Sequence, residues 1–538
     1  MFKYIGRKLK SLLMEQEQLN FKDSGKTVGK TEDNNKHTEK ISNKLEDNIK
    51  NFKKIFGESL DIIYRTFSFG DNGEFSAGLI YVEGLNENFI INETIMKVFM
   101  YDSKIANIKN IKVNIDFIEK NMLSVAHSKR TSSQQEIIDA CLSGETIFIL
   151  DGSEEALIIH SEAWESRGVE EAKTEAVVRG PREGFSENIA TNMALIRRRI
   201  KSPNLVFESM RVGRQTRTSV CIAYLKDIAD PKLIQEVKER LKKIKIDAIL
   251  ESGYIEQLIE DEPKSIFPTI GNSEKSDTAA AKILEGRACI LVDGTPFVLT
   301  MPMLFVEGFQ SAEDYYSRPY LASMIRMLRY MCFFISIFAP VTYVVLSTFH
   351  QELIPTTLLF TMAAGREGVP FPAVVEAGLM IITFEILREA GVRLPRPVGQ
   401  AVSIVGALVI GEAAVSAGLV GGLLVIVIAL TAVSSFVVPV YTDVVSILRI
   451  VFLILGGALG IFGLGIGILI VFAHAVSLKS FGVPYFSPLA PLVKDDIKDT
   501  LVRAPLWKMN KRPVSIAWKN IFRQDEDMKP NFNDKEEN

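Results

Sequence analysis

Glu376, Glu385 and Glu412 stand within or beside apolar runs in the stretch from Ala363 to Gly418, AAGREGVPFPAVVEAGLMIITFEILREAGVRLPRPVGQAVSIVGALVIGEAAVSAG. A carboxylate in hydrocarbon is costly unless it faces a partner or water. The chemistry open to it there is to hold a cation or proton, or to hydrogen-bond between helices. Upstream the apolar sequence is interrupted by Pro355, Arg366, Glu367, Pro370 and Pro372. Broken backbone at membrane depth survives only where protein or a water-filled cavity satisfies it. Glu376, Glu412 and these five residues are therefore candidates for an intramembrane polar site or pore. Glu376 and Glu385 fall on roughly opposite faces of one helix. Glu385 lies one turn from Arg388 and is expected to pair with it. Glu376 and Glu412 have no obvious local partner, which leaves two readings: they line or lock an ion path, or they hydrogen-bond for packing alone.

A second concentration of charge lies in AVVRGPREGFSENIATNMALIRRRIKSPNL. Arg179, Arg182 and Glu183 occupy a turn-rich linker, and Arg197, Arg198 and Arg199 close the helix after it, where cations complement the dipole. These arginines could grip a carboxylate, a phosphate or a neighbouring subunit. The simpler reading, an inter-lobe salt-bridge hinge, is preferred, because nothing here resembles a phosphate loop or a catalytic pair.

The elements around these residues divide the chain of 538 residues sharply. Mean hydropathy is +0.16 although 24% of residues are charged, so charge and apolarity must be segregated. A net charge of −3 gives no basic field for nucleic acid. Cys141, Cys221, Cys289 and Cys332 are scattered without metal spacing and read as buried apolar residues. No metal, cofactor or enzyme site is expected. Residues 1–51 read as a charged, disordered leader, with a basic amphipathic start at Phe2, Ile5, Leu9, Leu12 and Leu13 that suits either a membrane surface or the frayed helical start of a tail.

From Phe52 to about Pro302, strands and helices alternate. Strands are expected at Gly78–Val82 and Thr218–Leu225, and helices at Asn92–Tyr101, Gln134–Leu142, Glu187–Ile200 and Lys232–Ile244. Gly144, Asp151 and Gly152 recur at one common offset as Gly286, Asp293 and Gly294. Each copy reads as helix, glycine cap, strand, Asp-Gly turn, strand. That repeat favours two related lobes.

Beyond Arg326 and Arg329, MCFFISIFAPVTYVVLSTF is 19 uncharged residues, enough for one span. Leu353–Ala364 is too short and reads as re-entrant or interfacial. Further spans are expected at Pro372–Leu387, Gln400–Leu419, Leu423–Tyr441 and Ile447–Ala473, with Arg449 snorkelling and the glycines of GGALGIFGLGIG serving tight packing. Basic residues before the first span, at Arg388, Arg393 and Arg396, and in the tail place both ends in the cytoplasm. Five spans contradict that parity, so one of them is misassigned. The expected fold class is a two-lobed soluble α/β region followed by a polytopic helical transmembrane domain. Its divisions are lobes at 52–170 and 171–320, membrane helices at 321–476 and a basic cytoplasmic tail at 477–538.

RGPREGFSEN, LIRRRIKSPNL, FAPVTYVVLSTFHQELIP, GREGVPFPAVVEAG and the run from Leu387 to Gly418 strongly resemble the A subunit of GerA-type spore germinant receptors. The resemblance runs from about Phe52 to Pro513. It implies a protein of the endospore inner membrane in nutrient-triggered germination, partnered by a transporter-like B subunit and a lipoprotein C subunit. It also implies a homo-oligomer forming a ligand-gated cation channel. A transporter and a non-conducting scaffold are the alternatives, and no inverted repeat of the kind many transporters show is visible.

Overall fold

The computed structural model describes residues 40–529 apart from 71–72, 88, 103–113, 124–126, 164–174, 176, 394–410, 518 and 526–527. The amphipathic start at Phe2–Leu13 and the beginning of the Gln400–Leu419 span lie outside the described residues.

Lobe 1 opens with α1 (Leu45–Phe56), β1 (Ile62–Phe69) and β2 (Phe75–Val82). It continues through β3 (Ser128–Thr131), α2 (Gln134–Ser143), β4 (Thr146–Leu150) and β5 (Ala156–Ile159). Lobe 2 runs α3 (Ile189–Arg199), β6 (Leu205–Val212), β7 (Thr218–Leu225), α4 (Pro231–Lys243) and α5 (Ser252–Ile259). It closes with β8 (Gly271–Ser273), α6 (Ser276–Leu284), β9 (Ala288–Val292) and β10 (Val298–Met301). The sheets have the same order, β1-β2-β4-β5-β3 and β6-β7-β9-β10-β8, with antiparallel pairing throughout. Alternation along β4 sends Ile147 and Ile149 toward α1 and α2, while Phe148 and Leu150 face a core built on Ile91, Ile95 and Phe99. In that second layer the expected helix at Asn92–Tyr101 is present as wide π-type turns, Ile90–Met96 and Val98–Asp102.

The lobes also match in polar detail. Ser42 N–H donates to Asn48 Oδ1 at 2.8 Å while Asn48 Nδ2 donates to the Ser42 carbonyl at 2.6 Å. Ser186 and Asn192 make the same reciprocal pair at 2.8 and 2.6 Å. Asp151 accepts from Leu45 N–H as Asp293 accepts from Ile189 N–H. Gly144 and Gly286 both cap a helix with φ near +100°, at 99° and 98°. The two lobes thus share one topology and one set of capping hydrogen bonds.

Two boundaries differ from expectation. The leader does not extend to residue 51: Ile41, Leu45 and Ile49 are buried in the lobe 1 core. Their helical spacing is diluted by lysines and acids on the solvent face, which lowers the apparent hydrophobicity. Nor is 477–538 a separate tail. Ser480 Oγ donates to the Thr269 carbonyl at 2.6 Å, Phe481 N–H to Asp261 at 2.6 Å, and Arg512 Nε to the Leu284 carbonyl at 2.8 Å. The chain after the helical region is folded back onto lobe 2.

The helical region contains α7 (Pro319–Thr348), α8 (Thr356–Ala364), α9 (Ala373–Arg393), α10 (Gly411–Ser416), α11 (Gly422–Phe436) and α12 (Thr442–Ser477). By length and composition two helices suffice to cross a membrane, Pro319–Thr348 and Pro439–Ser477. The second is not straight. At Gly460 the backbone leaves helical geometry (φ 61°, ψ −142°). A Cβ on Gly467 would lie 2.7 Å from the Phe452 ring, although a straight helix would separate those residues by about 22 Å. α12 is therefore an antiparallel hairpin whose two arms end against lobe 2. Tyr441 donates to the Phe305 carbonyl at 2.5 Å, and His474 Nε2 lies 3.0 Å from Ser265 Oγ. The glycines pack as expected, with Gly456 against Val341 and Gly457 against Val374.

Candidate functional site

Glu376 sits in the first turn of α9 and is fully buried. The expectation that it has no local partner is corrected. Arg366 reaches Glu376 Oε1 at 2.8 Å, and Gly421 N–H donates to Oε2 at 3.1 Å. The partner was hidden because Arg366 lies ten residues upstream, across the turns around Pro370 and Pro372 that bring it back. The pair fastens α8 and the start of α11 to α9. Pro355 begins α8, whose buried Met362 packs with Tyr343, Ala377 and Leu424. Pro355, Glu367, Pro370 and Pro372 are exposed, and Arg366 is half-buried. Glu412 lies on α10, exposed, and joins no ion pair among the described residues. The structure thus brings Glu376 and Arg366 together and leaves Glu412 apart.

Glu385 pairs with Arg388 at 2.7 Å, as its spacing predicts. It also meets Arg449 at 3.3 Å. Arg449 does not snorkel: it is 1% exposed, and its Nε donates to the Ser336 carbonyl at 3.0 Å. That carbonyl would ordinarily serve the amide four residues on, but Pro340 has none to offer. Arg449 thus serves the carbonyl that Pro340 leaves unpaired, a link between two helices that no local spacing announces.

In the soluble region, Arg197 lies 1% exposed at the joint between lobes. Its Nε and one terminal nitrogen grip Asp61 at 2.6 and 3.0 Å, and it donates to the carbonyls of Ser202 and Leu205, both at 2.9 Å. The guanidinium is saturated, as a buried charge must be to survive. Arg198 and Arg199 both bind Glu183, and Arg199 Nε also donates to Ser276 Oγ at 2.9 Å. Arg179 and Arg182 are exposed. Arg197, Arg198 and Arg199 already have carboxylates, and of these only Arg197 with Asp61 bridges the two lobes.

A further polar knot joins lobe 2 to α7. Arg326, fully buried, contacts Asp314 at 3.1 Å and Asp499 at 2.7 Å, and Arg329 contacts Asp314 at 2.8 Å. Tyr315 donates to Asp499 at 2.5 Å. Burial first, then the Asp499 charge, pushes the Tyr315 hydroxyl well up. Asp314 and Asp499 carried no signal in sequence, since single acids in loops are commonplace. All four cysteines are free and buried, and burial pushes the Cys141 and Cys289 thiols up to about 12. Among the described residues no cluster of His, Cys, Asp and Glu could hold a metal ion.

The arrangement comprises a charged joint between the lobes, a charged knot around Arg326 and an ion pair at the start of α9, each holding neighbouring elements together. Residues 50–515 match the family model described as Bacillus/Clostridium GerA spore germination protein. The chain is 48% identical to spore germination protein KA of Bacillus subtilis over 479 residues, covering 89% of this chain and 87% of that one. It is 40% identical to spore germination protein B1 of the same organism, covering 88% and 97%. It is 39% identical to spore germination protein GerLA of Bacillus cereus, covering 82% and 89%. It is also similar to the crystal structure of the N-terminal domain of the A subunit of the Bacillus megaterium spore germinant receptor GerK3. There the identity is 36%, the TM-score 0.40, and the coverage 50% of this chain and 98% of that one. With the family model spanning nearly the whole described chain and relatives matched over most of their length, this protein belongs to the GerA family of spore germination proteins.

Proposed function

We propose that the chain is the A subunit of a nutrient-sensing receptor in the spore inner membrane, assembled with a transporter-like B subunit and a lipoprotein C subunit. Copies of its helical region gather around a cation path that the soluble lobes control. The fold-back at Gly460 supports the membrane placement, since it turns one of five expected spans into two. Each arm of α12 is about 26 Å long, close to the hydrocarbon thickness. Six crossings then leave both the lobes and the C-terminal segment on the cytoplasmic side. In this arrangement α7 leaves the lobes, α9 and α11 each return toward them on either side of the expected Gln400–Leu419 span, and α12 goes out and back.

The observation that carries the gated-path reading is the re-entrant segment from Pro355 to Pro372, broken backbone pinned by the buried Arg366–Glu376 pair. Breaking that pair would free α8 to move. The same pair also favours one alternative, a non-conducting scaffold, because a neutralised carboxylate holds no cation. Cation flux through the reconstituted receptor decides. Nutrient-dependent flux altered by Glu376→Gln and by Arg366→Gln is the expected result. No flux from any assembly containing the subunit supports the scaffold, and uphill substrate accumulation supports a transporter. Unchanged flux in Glu376→Gln and Glu412→Gln removes these carboxylates from the mechanism.

A further inference from the structure

At the lobe-proximal end of the helical region one cluster is out of charge balance. Arg388 of α9 and Arg449 of α12 share a single carboxylate, Glu385, at 2.7 and 3.3 Å. Arg388 also donates to Ser446 Oγ at 2.9 Å, which holds it toward α12. Arg449 uses Nε on the Ser336 carbonyl and one terminal nitrogen on Glu385. Its other terminal nitrogen is buried with no hydrogen-bond partner among the described residues. A guanidinium taken out of water with a donor unused is unfavourable until an acceptor reaches it. The adjoining stretch 394–410 holds no Asp or Glu and adds a further cation, Arg396, so it supplies no missing carboxylate.

The cluster is reachable. Arg449 seals its rear, while the Arg388 and Glu385 side chains are 22% and 23% exposed at its front. Arg388 lies about 8 Å inside the end of α9 and Arg449 about 11 Å inside the start of α12. In a membrane placed as above, a premise on which this inference rests, both arginines lie in the lobe-side leaflet beneath the headgroups, so a phosphate reaching them is drawn below the headgroup plane. Basic pockets between helices on the cytoplasmic side take anionic headgroups, and guanidinium forks match phosphate oxygens.

We propose that Arg388 and Arg449 form a phosphate-binding site between α9 and the first arm of α12. One phosphate monoanion, as carried by an anionic phospholipid, restores the balance. Glu385 holds the two guanidiniums in register and Ser446 aims Arg388.

The test uses the full chain in detergent micelles doped with phosphatidylglycerol, with phosphatidylcholine, or with phosphatidylcholine plus inorganic phosphate. The readouts are thermal unfolding and lipid retention in native mass spectra. Wild type and Arg393→Gln, whose arginine is exposed and paired with Glu389, are expected to be stabilised. Arg388→Gln, on the open side of the cluster and so tolerated by the fold, is expected to weaken the response tenfold or more. Arg449→Lys, which keeps the charge but loses the fork, is expected to weaken it as well. A response to phosphatidylglycerol alone identifies a lipid headgroup, and an equal response to inorganic phosphate identifies the free anion. No response to either probe, or equal responses in wild type, Arg388→Gln and Arg449→Lys, overturns the site. Alkaline extraction of native membranes checks the premise separately: a chain released into the supernatant sinks the membrane placement whatever the binding result.

Discussion

Arg197 shows how a residue can be legible in type and illegible in target. The run of three arginines announces a charged helix end, yet only its first member turns inward to Asp61. Helical geometry decides this, since consecutive residues point about 100° apart. Removing one partner of a buried pair strands the other charge, at a cost of about 3–5 kcal/mol. Arg197→Ala is expected to lower the unfolding temperature of the full chain sharply, and Arg197→Lys to recover little of it, because an ammonium cannot span both Asp61 oxygens. Arg179→Ala, on an exposed residue, should change almost nothing in the same measurement. Glu256 supplies a pH-dependent counterpart. Burial, then repulsion from Glu260 and Glu251, raises its carboxyl to about 7. Between the ordinary carboxylate range and pH 7 the folded chain keeps a proton that the unfolded chain releases, so stability falls as pH rises through that window. Melting curves from pH 5 to pH 8 should show that decline and then a plateau, and Glu256→Gln should remove this component.

Among the elements, those with two-residue or four-residue periodicity were legible almost to the residue. Thr218–Leu225 is the strand its alternation predicts, and Gln134–Ser143 the helix its pattern predicts. The hairpin in α12 was not, because glycine alone among the usual turn marks is present, repeated along a run where it equally serves close packing. No charge, proline or Asx residue flanks Gly460, and apolar side chains run unbroken through the bend. In water such a run would be read as one helix; a turn among hydrophobic neighbours needs only a residue that tolerates positive φ. The conformation at Gly460 is open to little besides glycine, and Gly460→Ala should cost about 1–3 kcal/mol in the unfolding of the detergent-solubilised chain. A cysteine at Phe462, beside the tip, should react with an impermeant thiol reagent from the side of the membrane opposite the lobes. Labelling from the lobe side would dismantle the six-crossing arrangement.

At the scale of the whole molecule, the likeness of the lobes was visible in one hairpin and extends to polar pairs that no pattern search would align. Lys53 stands over the Tyr64 ring as Arg197 stands over Phe207, at 5.4 and 5.2 Å. The joint between the lobes nevertheless uses different surfaces of each: the Ser59–Asp61 turn of lobe 1 meets α3 and β6 of lobe 2, with Leu60 N–H donating to the Phe207 carbonyl at 3.0 Å. A contact of that head-to-tail kind, once available on every unit, propagates into rings or open fibres. Here it ends after a single use. The residues matching Leu60 and Asp61 in lobe 2 are Pro203 and Asn204, the first without an amide proton to donate and the second without a charge for a neighbour's Lys53. The twin domain is thus a terminated chain of two links, its second lobe lacking the turn with which the first takes hold of its neighbour.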